Sequence, residues 1–265
     1  MVKSCSILIT NQNSYEAVQV CIESVKYHTK YPNYQIIVYD DCSDNGVDLP
    51  YLRAKQDLGW LRLIEGKEHK DHGGSLNILV NEICQTDLAM ILDCDIQILR
   101  DNWLTDMINV LSSDEKAIAV CNCLETKRRR EAVYVGPFCE FWFGLLNMNV
   151  YRDGMQVDWT PQIIYDKKEI TLYSEDMDAA GIDIFVLDVG SKLPVRVLYD
   201  NPKGYNIISP IPENITAAFK HYLQITCHLS ATGPQAEEIK DHAKQKLDVM
   251  KSELKSLRQR QEEDE

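Results

Sequence analysis

The sequence predicts an α/β protein: a doubly wound, mostly parallel sheet flanked by helices and followed by a C-terminal amphipathic helix. Three observations predict it. Short runs such as SILIT (6–10) and LAMILDCDIQI (88–98) are apolar at successive positions, the pattern of strands buried on both faces. They alternate with helical segments of about 10–15 residues, as in a series of βαβ units with right-handed crossovers. A charged tail then carries apolar residues three and four apart. At 265 residues the chain has room for one large domain, or for a domain and a small appendage.

Each element follows from its residues. SILIT reads as the first strand. From Ser14 to His28, Ala17, Val18, Cys21, Ile22 and Val25 recur at helical spacing, with Ser14 placed as N-cap. YQIIVYDD (34–41) is the second strand, closed by the turn-forming DCSDNG. WLRLIEG (60–66) is a shorter third. HGGSLNILVNEIC (72–84) is a glycine-opened helix with Leu76, Leu79, Val80 and Ile83 on one side. LAMILDCDIQI is the fourth major strand, a helix runs from about Asp101 to Leu111, and AIAVCNC (117–123) is another strand. No fixed-period repeat is visible.

Past Val135 the pattern changes to an apolar and aromatic stretch, an acidic LYSEDMDAAG (172–181) and a proline-marked SPIPEN. The expected division is a domain over 1–233, with a ligand-binding half (1–123) and a second half (124–233), then a charged helix and tail over 234–265. In that tail Ala236, Ile239, Ala243, Leu247, Met250, Leu254 and Leu257 form one stripe. It either docks on its own domain or pairs with another copy. The closing QEEDE is expected to be disordered.

Composition excludes some functions. A net charge of −13, from 28 basic and 41 acidic residues, lacks the basic face of a non-specific nucleic-acid binder. Nine cysteines in no framework spacing read as reduced, buried thiols. The N-terminus does not read as a signal peptide and no apolar run is long enough to span a bilayer. A cytoplasmic location without membrane insertion is therefore the expectation.

In open parallel sheets, ligands bind beyond the carboxyl ends of the strands. Four groups fall there: Thr10, Asn11 and Gln12; Asp40 and Asp41; Gly73, Gly74 and Asn77; Asp93 and Asp95. Singly, an aspartate after a strand is an ordinary turn-former or helix cap. The coincidence at one edge carries the argument.

SILITNQNSYEAVQVCIESV, YQIIVYDDCSD, HGGSLN, ILDCDIQI and YSEDMDAAG occur in the order seen in nucleotide-sugar glycosyltransferases of the GT-A fold. The stretch resembles most the inverting group called family two. DCD is similar to that family's Asp-any-Asp signature and SEDMD to its Glu-Asp-any-Asp motif. The resemblance implies transfer of sugar from a nucleotide-diphosphate donor, UDP-linked, to a hydroxyl acceptor with inversion, and the lack of the Gln-any-any-Arg-Trp segment of processive synthases argues for a single sugar. It also implies a Mn²⁺ or Mg²⁺ cofactor, with Asp95 as direct ligand and Asp93 on the ribose or reaching the metal through water. Thr10 and Asp41 would grip the base, with Asn11, Gln12, Gly73, Gly74, Asn77 and Cys94 in the nucleotide-sugar stretch. Cys94 lies between the acids, and strand alternation would send its side chain to the opposite face.

By the same resemblance Asp176 would be the catalytic base, with Glu175 or Asp178 on the acceptor or bracing the site. The competing reading of that segment is an acidic helix start. A late histidine on the metal is expected at His228, with His221 as its rival. Phe141, Trp142 and Phe143 read as core or as a sugar wall. Lys127–Arg130 reads as a solvated loop or as a diphosphate contact. Two other functions fit the motifs less well. A sugar-nucleotide nucleotidyltransferase would need a glycine-rich basic loop that TNQNSYE lacks, and a non-catalytic binding module would have lost the acidic motifs.

Overall fold

The computed structural model describes residues 2–124, 127–129, 132–134, 138–164, 184–187, 192–222 and 236–264. The central sheet has seven strands. Three of them, β1 (Cys5–Asn11), β2 (Tyr34–Asp40) and β4 (Leu88–Asp93), are the apolar runs expected from the sequence. With β3 (Arg62–Glu65), β6 (Ala117–Leu124), β9 (Phe138–Asn147) and β12 (Asn206–Ile208), the order is β12-β6-β9-β4-β1-β2-β3. Leu88 N donates to Ser4 O at the start of β4 and β1, and Asp41 N donates to Asn11 O where β1 and β2 end. These three strands therefore run the same way. β2 pairs with β3 and β12 with β6 in parallel, while β9 lies antiparallel to β6. Every residue of β1 is buried, which is why its sequence is apolar without alternation.

The chain forms two compact units. One comprises Met1–Leu8, Lys70–Ile91 and Ile108–Ile211, the other Ile9–His69, Leu92–Met107 and Pro212–Glu265. Within the first, α3 (Asp71–Asn77) continues as a π-helical turn over Ile78–Ile83. Helix α4 (Trp103–Ser112) begins in the second unit and ends in the first. The first unit also holds α5 (Met148–Arg152), α6 (Lys192–Tyr199) and a four-stranded sheet. That sheet runs β10 (Gln162–Ile164), β11 (Ile184–Leu187), β8 (Ala132–Tyr134), β7 (Lys127–Arg129).

The second unit carries α1 (Tyr15–His28), α2 (Asp48–Asp57), α7 (Glu213–Thr216) and α8 (Ala236–Asp264). It also carries an antiparallel ribbon of β5 (Ile96–Ile98) and β13 (Phe219–His221). The stripe on α8 docks on this unit: Met250 and Leu254 pack with Ala17, Val20 and Tyr222, and Leu247 closes the cluster. This covers the outer side of α1, so Val20 and Glu23 are buried as fully as the inward Val18 and Ile22. Glu23 is satisfied there by the Arg258 guanidinium at 2.8 and 2.9 Å, by Lys55 Nζ at 3.2 Å and by Tyr51 OH at 3.3 Å. Burial alone would raise the Glu23 carboxyl, but Arg258 and Lys55 outweigh it and hold it below the ordinary value.

Four expectations are corrected. Ser14 sits at the N-cap position of α1, but its hydroxyl donates to Gln12 O instead of capping the helix. The run 88–98 is not one strand, because the chain turns at Cys94–Asp95 and restarts as β5. Alternation does not cross a turn, so it does not place Cys94. The tail is helical through Asp264 instead of disordered from Gln261, as the run of good helix formers continues past the docked stripe. Helix α2 had no counterpart in the sequence reading, because Leu52 is its only buried apolar side chain.

Candidate active site

The centre of the site is a carboxylate pair and an imidazole in the second unit. Asp93 is the last residue of β4 and Asp95 stands in the turn before β5. Antiparallel pairing of β13 with β5 sets His221 opposite Ile96, and Tyr222 N donates to Asp95 O at 3.1 Å. The register thus brings the imidazole back onto the turn. His221 Nε2 lies 3.1 Å from Asp95 Oδ1 and 3.9 Å from Asp93 Oδ2. One donor atom from each of the three lies within 4.8 Å of the others.

Two carboxylates and an imidazole, all largely shielded from water, fit a divalent cation with hard or borderline preferences. Two acids this close inside a protein also disfavour each other's charge unless a cation compensates them. Cys94, between them, is not one of the three donors of this cluster. Burial, then the charges of Asp95 and Asp93, push its thiol well above the ordinary range, and it bonds to Ser14. Cys21, whose thiol donates to Asp93 O, is likewise held protonated, first by burial and then by the same acids.

A second group of side chains meets where β1, β2 and β3 end. Asn11 Nδ2 donates to Asp40 Oδ1 and Asp48 Oδ1 at 2.8 and 2.9 Å. Asp40 also receives Ser43 N and Oγ, so it serves the loop. Asp41 is buried, and its Oδ2 lies 2.7 Å from His69 Nδ1. Gln12 Nε2 lies 3.0 Å from the same ring nitrogen. Thr10 is buried at the end of β1.

Gly73, Gly74 and Asn77 belong to the other unit. A side chain at Gly73 would meet Pro161 Cδ and Trp159 O at 2.8 Å, so the close approach there is to the chain's own 159–161 segment. Gly74 N is taken by Asp71 Oδ1, and Asn77 Oδ1 accepts from Asn81 and Trp159 N. Phe141 and Phe143 are buried, and Phe141 packs edge-on to Trp159 at 4.9 Å. Glu175, Asp176, Asp178 and His228 lie outside the described residues, as does Arg130 of the basic cluster. The sequence reading passed over His69, since an exposed histidine after a short strand carries no periodic signal.

Residues 6–168 match the family described as Glycosyl transferase family 2. The chain belongs to that family. A comparison with curated proteins returns no match. Among solved structures, this family 2 chain is similar to the mannosyltransferase PcManGT from Pyrobaculum calidifontis, described in complex with GDP-Man and Mn²⁺. The TM-score is 0.53 at 15% identity, covering 93% of this chain and 70% of that one. It also matches S. aureus TarS 1–349, with a TM-score of 0.48 at 11% identity over 92% of this chain and 71% of that one. The first likeness shows a shared fold, the GT-A type that the sequence resemblance implied. Among the described residues, no helix is long and apolar enough to cross a membrane.

Proposed function

We propose that this family 2 chain is a metal-dependent glycosyltransferase that moves one sugar from a UDP-linked donor to a hydroxyl acceptor with inversion. The observation that carries the reading is the convergence of Asp93, Asp95 and His221 at the end of a central strand. These three residues would hold Mn²⁺ or Mg²⁺, with Asp95 the direct carboxylate ligand. Such an ion supplies Lewis acidity to a departing diphosphate. The protein's own part is to fix the two carboxylates at the strand end and to hold the imidazole opposite them by strand pairing.

At the neighbouring strand ends, Asp41 is the acceptor for a base N–H, with Thr10, Asn11 and Gln12 around the nucleoside. Asp176 is proposed as the base that takes the acceptor hydroxyl's proton on the face opposite the leaving group, with Glu175 beside the acceptor. This role rests on the motif alone. His221 is favoured over His228 as the histidine on the metal, because its register places it against Asp95.

The test is a thermal-shift and calorimetric screen of nucleotides and nucleotide sugars with and without Mn²⁺. Ligand linkage predicts a rise in Tm with UDP that requires the metal, and a turnover readout that Asp176→Asn abolishes. Product NMR with a competent acceptor should show the inverted anomer. A screen in which no nucleotide shifts the protein, with or without metal, overturns the proposal.

A further inference from the structure

The imidazole of the proposed metal centre rests on very little structure. His221 ends the three-residue strand β13, which pairs with the three-residue β5. A ladder this short does little to set its own register. The register matters, because a slip of one residue turns every side chain of β13 to the other side. Either direction takes His221 off Ile96, and one of them sets Lys220 opposite it. The cluster itself does not forbid that slip. An ammonium beside Asp93 and Asp95 offsets their charge as a metal cation does, and it leaves a filled site without metal.

Tyr222 opposes the slip. Its N–H donates to Asp95 O at 3.1 Å, and its hydroxyl donates to Gln97 Oε1 at 2.8 Å. Both Tyr222 and Gln97 are buried. Gln97 is a fixed post, because the next residue, Ile98, donates its N–H to Ser24 Oγ of α1 at 3.0 Å and so ties β5 to the helix. The Tyr222 ring packs on the same helix at Ala17 and Val20, and on Met250 and Leu254 of α8. A slip by one residue moves the ring about 3.3 Å along the strand. That takes it off this packing and leaves a buried amide oxygen without its donor. Lys220 is held on the tyrosine's side as well. Its ammonium stands 4.7 Å from the ring centroid and 3.2 Å from Glu253 Oε1, so its charge is engaged on α8.

We propose that Tyr222 is the register lock of the metal centre, a positioning residue whose phenol, bonded to Gln97, keeps His221 and not Lys220 facing Asp93 and Asp95. The proposal rests on the metal-dependent glycosyltransferase reading and deepens it, because the two acids then choose between a divalent cation and the chain's own lysine. Tyr222 acts through β13 alone and is not a ligand. A slipped strand lowers the apparent metal affinity by the fraction of molecules left in the competent register.

Titration of Mn²⁺ followed by electron paramagnetic resonance tests it, with nitrogen coupling to the bound ion reporting an imidazole ligand. The native protein should bind Mn²⁺ with that coupling. Tyr222→Phe keeps the ring and its packing and should weaken Mn²⁺ binding by about threefold to tenfold. Gln97→Met removes the lock from its other end and should do the same. In a Lys220→Met background, where the rival cation is gone, Tyr222→Phe should change the affinity by less than about twofold. Native affinity in both Tyr222→Phe and Gln97→Met overturns the lock and leaves the metal reading intact. Equal weakening with and without Lys220 also overturns it, since that is a general loosening of the ribbon. A native protein that binds Mn²⁺ without nitrogen coupling takes His221 off the ion and removes the lock alone. One that binds no Mn²⁺ takes the metal reading and the lock down together.

Discussion

At the scale of single residues, the decisive chemistry is the spacing Asp93-Cys94-Asp95 with His221 folded back on it. The acids were legible in the sequence because a carboxylate pair at the end of a buried apolar run is costly without a compensating charge. The turn between them was not, since LAMILD and IQI read as one continuous apolar strand. His221 was visible only as an alternative, because a three-residue strand, Phe-Lys-His, has too little pattern to fix a register. Removing Asp95 or His221 should weaken Mn²⁺ binding by at least the about 10- to 100-fold that follows loss of a mere supporting contact. Titration of Mn²⁺ into Asp95→Ala and His221→Ala, with circular dichroism confirming the fold, checks this. Native affinity in both variants would remove the triad from the metal.

At the scale of elements, α1 shows why some burial escapes a sequence reading. The positions Ala17, Val18, Cys21, Ile22 and Val25 marked one apolar side, and that side is buried. The burial of Glu23 on the other side depends on α8, which arrives from more than two hundred residues away, with Arg258 at 235 positions' separation. Local periodicity carries no trace of such a partner. Arg258→Ala leaves a buried carboxylate short of its strongest donor and should cost about 1–3 kcal/mol in urea unfolding. The pH dependence has a definite sign. A carboxyl held below its ordinary value in the folded state stabilises above the unfolded value and loses that contribution as pH falls through the folded one. The stability gap between the native protein and Glu23→Gln should therefore be full at neutral pH and shrink on acidification. A gap that stays constant from pH 7 to pH 3 would show that the ion pairs contribute nothing.

At the scale of the whole molecule, the parallel core was readable because its strands are buried on both faces, and α2 was unreadable because Leu52 is its one buried apolar side chain. The π-helical turn after α3 was invisible for another reason. Shifting the hydrogen-bond offset leaves Leu76, Leu79 and Val80 buried, so the apolar pattern does not change. The stripe on the tail serves docking or pairing, and the cluster with Ala17, Val20 and Tyr222 shows it docked. Tyr222 is the residue after His221, and its hydroxyl donates to Gln97 at 2.8 Å. Deleting residues 236–265 should therefore lower both Tm and Mn²⁺ affinity. A truncated protein that binds Mn²⁺ as tightly as the full chain would separate the tail from the site.

The packing of Tyr222 carries a practical corollary. The backbone that presents the imidazole is clamped on one side by a helix from the far end of the chain, so a nick or bulky fusion that lifts this helix would be felt first as a leaky ion site. On the proposed metal reading, manganese uptake would then gauge whether the C-terminus is seated.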